Sequence, residues 1–193
     1  MFRMMLDSVA RVFFRVRLLL REIVISLRMD RVSAQSDGGI VYRGCKVFEL
    51  FGLRDLYLQL NPEGSFSIVR VACYFFGGSK FIVVAQDPLT GQLVGMDMYY
   101  FNRRDLIENT VHEGFVGVRC VYEGRGIATR MRLLAKQYFK GNGFSGISTR
   151  ISSDNTASLV SAKKIGFEVV NVLPEDSVAS GCYYMVCDLE SDW

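Results

Sequence analysis

The sequence predicts an α+β domain: a mixed, mostly antiparallel sheet flanked by helices, with an amphipathic helix ahead of it. Three observations lead there. KFIVVAQ and QLVGMDMYYF, residues 80–86 and 92–101, are β-rich runs joined by the turn sequence DPLTG, which makes a hairpin. HEGFVGVRCV, a glycine-rich turn, a long amphipathic run and FSGISTRIS form one strand–helix–strand crossover over residues 112–152. FEVVNVL and CYYMVCDL, residues 167–173 and 182–189, close the chain as two more strands. A hairpin combined with a single crossover implies a mixed sheet and excludes a doubly wound one.

Taken in order, residues 2–28 read as one helix. At 100° per residue, Met5, Val9, Val12, Val16, Leu19, Leu20, Ile23, Val24 and Leu27 share one side. Arg11, Arg15, Arg17, Arg21, Glu22 and Arg28 share the other, interrupted by Phe14, Leu18 and Ile25. SAQSDGG, residues 33–39, has the composition of a linker. GIVYRGCKVF predicts a strand and ELFGLRDLYLQL a helix. SFSIVRVACYF predicts a second helix closed by Gly77 and Gly78. After the hairpin, NRRDLIENT connects to the strand at 112–121, and the helix that follows runs to about Lys140, where GNG ends it. Asn155 caps a short helix, TASLVSAKKI, that stops at Gly166. The predicted order is β-α-α-β-β-β-α-β-α-β-β.

The 193 residues, half of them hydrophobic, are enough for one good core. Net charge is +3, and residues 1–31 carry seven arginines against Asp7, Glu22 and Asp30, so the remainder is nearly neutral. That distribution argues against nucleic-acid binding by the domain. Five cysteines in no CxxC spacing, with a single histidine, give no metal-ligand pattern. They fit reduced thiols of a cytoplasmic protein. No apolar run reaches the roughly 20 residues that span a bilayer, and arginines interrupt any signal-peptide core.

Residues 122–130, YEGRGIATR, join a strand to a helix N-terminus through two glycines. Unpaired N–H groups and the helix dipole at such a point favour phosphate, although an ordinary tight turn has the same composition. Two widely separated signals then carry a resemblance. EGRGIA at 123–128 resembles the acyl-CoA pyrophosphate loop Q/R-x-x-G-x-G/A of the GNAT (Gcn5-related) N-acetyltransferases. Asn155 followed by SLVSAKKIGF, residues 158–167, is similar to that family's N-x-x-A-x-x-L-Y-x-x-x-G-F ending. The resemblance covers roughly residues 39–190 and divides the chain into an N-terminal basic helix with linker, 1–36, and an acetyltransferase domain, 37–193.

The resemblance implies an acyl-CoA-dependent N-acetyltransferase with acetyl-CoA or another acyl-CoA as co-substrate, no metal, and an amine acceptor: an amino sugar, a small amine or a protein amine. It implies that CoA lies between the strands at 112–121 and 145–152, its pyrophosphate on Gly124, Arg125, Gly126, Ile127, Ala128 and Thr129. It further implies pantetheine along Val116 and Val118, with Asn155 at the second motif. Two residues depart from the family pattern. Glu123 stands where Gln or Arg is usual, so its carboxylate should turn away or be tied by Arg119. Ala162 stands where many members carry a tyrosine acid, which leaves Ser161, Tyr183, Tyr184 or solvent for that role and keeps a non-catalytic acyl-CoA-binding module as the alternative.

For the base that frees the amine lone pair, the resemblance points to His112-Glu113 at the start of the strand. Alternation puts His112 on the face shared with Val116 and Val118, and Glu113 on the other unless a bulge intervenes. His112, with an ordinary pKa near ~6.5, is preferred. Of YYF at 99–101, the aromatic rings either line the acceptor pocket or fill the core. The apolar face of residues 2–28 needs a surface: its own domain, a second subunit as a homodimer, or the inner face of an anionic membrane as a peripheral contact.

Overall fold

The computed structural model describes residues 16–18, 20–66, 74, 75, 77, 80–173 and 181–190. Eight strands form one sheet: β1 Gln35–Asp37, β2 Ile40–Gly44, β3 Ile82–Gln86, β4 Leu93–Tyr100, β5 Thr110–Val118, β6 Gly146–Ser152, β7 Phe167–Leu173 and β8 Cys182–Asp188. Their order is β1-β2-β3-β4-β5-β6-β8-β7, antiparallel throughout except for the β5–β6 pair. The helices are α1 (16–18 and 20–28), α2 Leu50–Leu60, α3 Arg103–Glu108, α4 Ile127–Gly141 and α5 Thr156–Lys163. The α+β class and the mixed sheet agree with the sequence.

The two faces of the sheet carry different helices. On one, α4 buries Ile127, Met131, Leu134, Ala135 and Phe139, the i, i+4, i+7, i+8 stripe of an amphipathic helix. Phe139 meets the Tyr99 ring at 4.8 Å. Each of these side chains larger than Ala135 contributes about 1.5–3 kcal/mol. α4 ends as GNG dictates: Gly143 takes φ 79°, and the Phe144 and Gly143 N–H groups return to the Phe139 and Lys140 carbonyls. On the opposite face α2 buries Leu50, Leu53, Leu56 and Tyr57, and Tyr57 packs edge-on against Phe115 at 4.8 Å.

Four readings change. Segment 33–39 is more than a linker: Gln35–Asp37 pairs with Ile40–Tyr42 around the Gly38-Gly39 turn. NRRDLIENT contains α3, whose start is set by a capping box in which Asn102 accepts from the Arg104 and Asp105 N–H groups and Asp105 accepts from the Asn102 N–H. Much of SFSIVRVACYF lies outside the described residues; Tyr74, Phe75, Gly77, Lys80 and Phe81 are helical, so Gly77 does not close that helix.

The fourth concerns α1. Residues 2–15 of the predicted helix lie outside the described residues, and the rest docks on the domain by its mixed face. Ser26 and Met29 are buried, Ile25 packs on the core, and Glu22 accepts from the Phe101 N–H at 2.9 Å. The apolar positions Val16, Leu20, Val24 and Leu27 point outward and are 48, 57, 49 and 75 % exposed.

Candidate active site

β5 and β6 pair only from Thr110↔Gly146 to Glu113↔Thr149, yet β5 runs on to Val118 and β6 to Ser152. Beyond Glu113 the strands splay, and their edges line a cleft of about 1090 Å³. Val116, Val118, Thr149, Arg150 and Ile151 line it, as do the turn and first helical residues Gly124 and Gly126–Thr129. Asn155, Ser158 and Ser161 close the α5 side.

The turn requires its glycines for conformation. Gly124 and Gly126 take φ 73° and 75°, a region unfavourable for residues with a Cβ, while a Cβ at either would meet nothing within 4 Å. The space over Gly126 is thus open, and the first-turn N–H groups of α4 face it without intrahelical acceptors. Arg125 is held over the Tyr122 ring at 5.2 Å, and the Tyr122 hydroxyl donates to Asp87 at 2.8 Å. Glu123 is exposed. Arg119 does not tie it, because its guanidinium donates to the Leu93 carbonyl and to Gln59 at 2.9 and 2.8 Å. Cys120 is exposed at the cleft rather than packed as a small hydrophobe.

A bulge decides where the two candidate bases point. Tyr99 pairs with Glu113 and Met98 with Phe115, leaving Gly114 as an extra residue on β5. Only glycine fits there, because a Cβ would overlap the Tyr100 ring. The bulge resets the alternation: Glu113 shares the α4 face with Val116, and His112 shares the α2 face with Phe115. The expectation that His112 lies on the Val116 and Val118 face is overturned.

On the α4 face, Glu113 forms a two-pronged ion pair with Arg132, both N···O distances 2.7 Å, with the side chains 1 and 2 % exposed. Thr149 donates to the same carboxylate at 3.1 Å, and Arg132 reaches on to the Ser158 carbonyl and hydroxyl at 3.1 Å. Burial works against the Arg132 charge, but the Glu113 and Asp97 carboxylates hold its pKa above the ordinary value. Next to it Asp97 accepts from the Tyr99 hydroxyl at 2.6 Å. Burial, then the Glu113 charge, push the Asp97 carboxyl well up.

On the α2 face, His112 sits at the end of a hydrogen-bonded chain. Ser148 Oγ donates to Asp105 Oδ1 at 2.7 Å, and Thr110 donates to the same oxygen at 2.7 Å. The one proton of the Ser148 hydroxyl is committed, so its oxygen accepts from His112 Nδ1–H at 2.7 Å. Nε2 therefore carries the lone pair. Burial lowers the His112 pKa, and Arg150 adds to that against the opposing Asp105 charge. Tyr100 packs edge-on to the imidazole at 5.0 Å, whereas Tyr99 and Phe101 are core. Asp105, Ser148 and Arg132 escape a reading by motif. Ser148 is brought to the site by the β5–β6 register, and Asp105 and Arg132 by side chains reaching in from α3 and α4.

A model of the Acetyltransferase (GNAT) family matches residues 52–167. The chain belongs to the GNAT acetyltransferase family. Among curated proteins no sequence matches significantly. Among solved structures, a chain of the NatC complex bound to Gag peptide and CoA superposes with TM-score 0.67 at 16% identity, over 77% of this chain and 98% of that one. The yncA protein from Salmonella typhimurium with its cofactor acetyl-CoA gives TM-score 0.67 at 18% identity, over 82% and 97%. An N-acetyltransferase from Staphylococcus aureus Mu50 gives 0.66 at 18%, over 80% and 100%. At these identities the likeness is one of fold. This GNAT chain has a strand splay, an open cleft and a glycine turn at a helix start. Among the described residues, no helix is long and apolar enough to cross a membrane.

Proposed function

We propose that this acetyltransferase moves an acetyl group from acetyl-CoA to an amine by direct attack on the thioester. The observation that supports it most is the splay: the β5 edge is released from β6 after Glu113 and opens toward the glycine turn. Pyrophosphate would rest on residues 124–129, with Arg125 adding a charge-assisted bond, and pantetheine would follow Val116 to Val118. Bound acetyl-CoA supplies an activated thioester, so no enzyme nucleophile is required. Asn155 lines the cleft and caps α5, its Oδ1 accepting from the Ser158 N–H at 3.0 Å.

His112 takes the proton of the ammonium acceptor. Its Nδ1–H is held by Ser148, its Nε2 is unprotonated, and its lowered pKa keeps it neutral at pH 7. Glu113 is the poorer base, because both its oxygens are bound by Arg132. Ser148→Ala is expected to cost about 1–3 kcal/mol, because the buried Nδ1–H loses its acceptor. Urea unfolding measures that loss, and kcat should fall while KM for acetyl-CoA stays put.

A second reading, a non-catalytic acyl-CoA-binding module, is favoured by Ala162, which is fully buried and has no proton to give. Of the alternative donors, Ser161 lines the cleft, 3.1 Å from the Thr129 hydroxyl. Thiol release from acetyl-CoA over a panel of amino sugars, polyamines and peptides separates the two. Amine-dependent release supports the enzyme, and CoA binding with no release on any amine supports the module.

Gly126→Asp tests the loop. Its carboxylate would enter the open space over the helix start and displace two charge-assisted N–H bonds. CoA affinity should therefore fall about a hundredfold or more, with a modest loss of stability because Asp must adopt φ 75°. Calorimetry showing unchanged affinity would remove the phosphate from this loop.

A further inference from the structure

The outward face of α1 is at odds with its chemistry. Val16, Leu20, Val24 and Leu27 follow one another at spacings of four, four and three residues, which forms a continuous stripe one helix face wide. The opposite face is already satisfied. Glu22 accepts from the Phe101 N–H, Lys80 donates to the Ser26 carbonyl, and the Ser26 hydroxyl bonds back to Ile23 at 2.8 Å. Beyond the helix, Asp30 is pinned to α4 through Asn142 and Tyr138, at 3.1 and 2.8 Å. The helix is thus fixed with its aliphatic stripe turned out.

Arg17, Arg21 and Arg28 are exposed along one border of that stripe, at 100–140° on the wheel where the valines and leucines span 0–80°. The one acidic residue of 16–28, Glu22, is turned inward. A second copy of this chain packed on the stripe would bring two sets of arginines together with no carboxylate on the helix to meet them. An anionic surface that accepts aliphatic side chains meets both halves of the pattern.

We infer that α1 docks this acetyltransferase on an anionic lipid surface, its stripe in the acyl-chain boundary and its arginines on the headgroups. This holds whether or not the chain acetylates amines. The test is sedimentation of the full chain with vesicles of phosphatidylcholine alone and of phosphatidylcholine mixed with phosphatidylserine. Binding is expected only to the second, weakening with salt. The double variant Leu20→Glu, Leu27→Glu alters two exposed positions and should abolish sedimentation with an unchanged thermal midpoint. Arg17→Gln, Arg21→Gln and Arg28→Gln together should lower the partition coefficient about a hundredfold. No sedimentation with phosphatidylserine, or undiminished sedimentation of the Glu variant, would overturn the inference. So would a vesicle-free dimer in light scattering that the Glu variant splits into monomers, since a second copy would then cover the stripe.

Discussion

His112→Ala is expected to lower kcat by about 10²–10⁴-fold, the range for loss of a general base, with KM for acetyl-CoA nearly unchanged. The split follows from the bulge at Gly114, which puts His112 on the α2 face, whereas the glycine turn lies at the start of α4. The pH profile supplies the sign. Burial lowers the His112 pKa, so the wild-type rate should rise with pH through a midpoint below the ordinary value near ~6.5. In the variant that rise should disappear. His112→Gln keeps an amide for Ser148 and serves as the folding control. A normal rate in either variant would shift base duty to solvent.

Arg132→Met is expected to destabilise the fold by about 3–5 kcal/mol, because it leaves the Glu113 carboxylate buried without its counterion. Asp97 lies beside it with its Oδ1 unpartnered among the described residues, so the vacated space holds a second carboxyl already pushed toward its neutral form. Adding Glu113→Leu should recover much of the loss, since an apolar pair of similar volume often replaces a buried ion pair at little cost. Denaturant unfolding of wild type and the two variants measures both steps. A single variant within about 1 kcal/mol of wild type would mean that water reaches the pair and screens it.

The fold was legible where local chemistry sets it. DPLTG makes the hairpin, GNG stops α4, and Asn155 starts α5, because each involves residues a few positions apart. The glycine turn was legible for the same reason: left-handed backbone at Gly124 and Gly126 is a property of the residues themselves. The face of His112 was not, since the bulge at Gly114 shows only in the pairing with the neighbouring strand, where the Tyr100 ring leaves no room for a Cβ. α3 was missed because six residues show almost no periodicity, although Asn102 and Asp105 stood at capping-box spacing. Which surface α1 turns to the domain was left open by the sequence, because Glu22 and the Ser26 carbonyl find partners far away in the chain, the Phe101 N–H and the Lys80 ammonium. Such long-range hydrogen bonds are invisible in a window of sequence.

An acyl-CoA site formed by the β5–β6 splay and the turn before α4 should show itself when CoA is titrated into uniformly ¹⁵N-labelled protein and the backbone amides are followed. The largest shifts are expected at Val116 and Val118 and at Gly124 through Thr129, with downfield movement of the amides that take up phosphate. Shifts that leave residues 124–129 unmoved while CoA binds would contradict a site there.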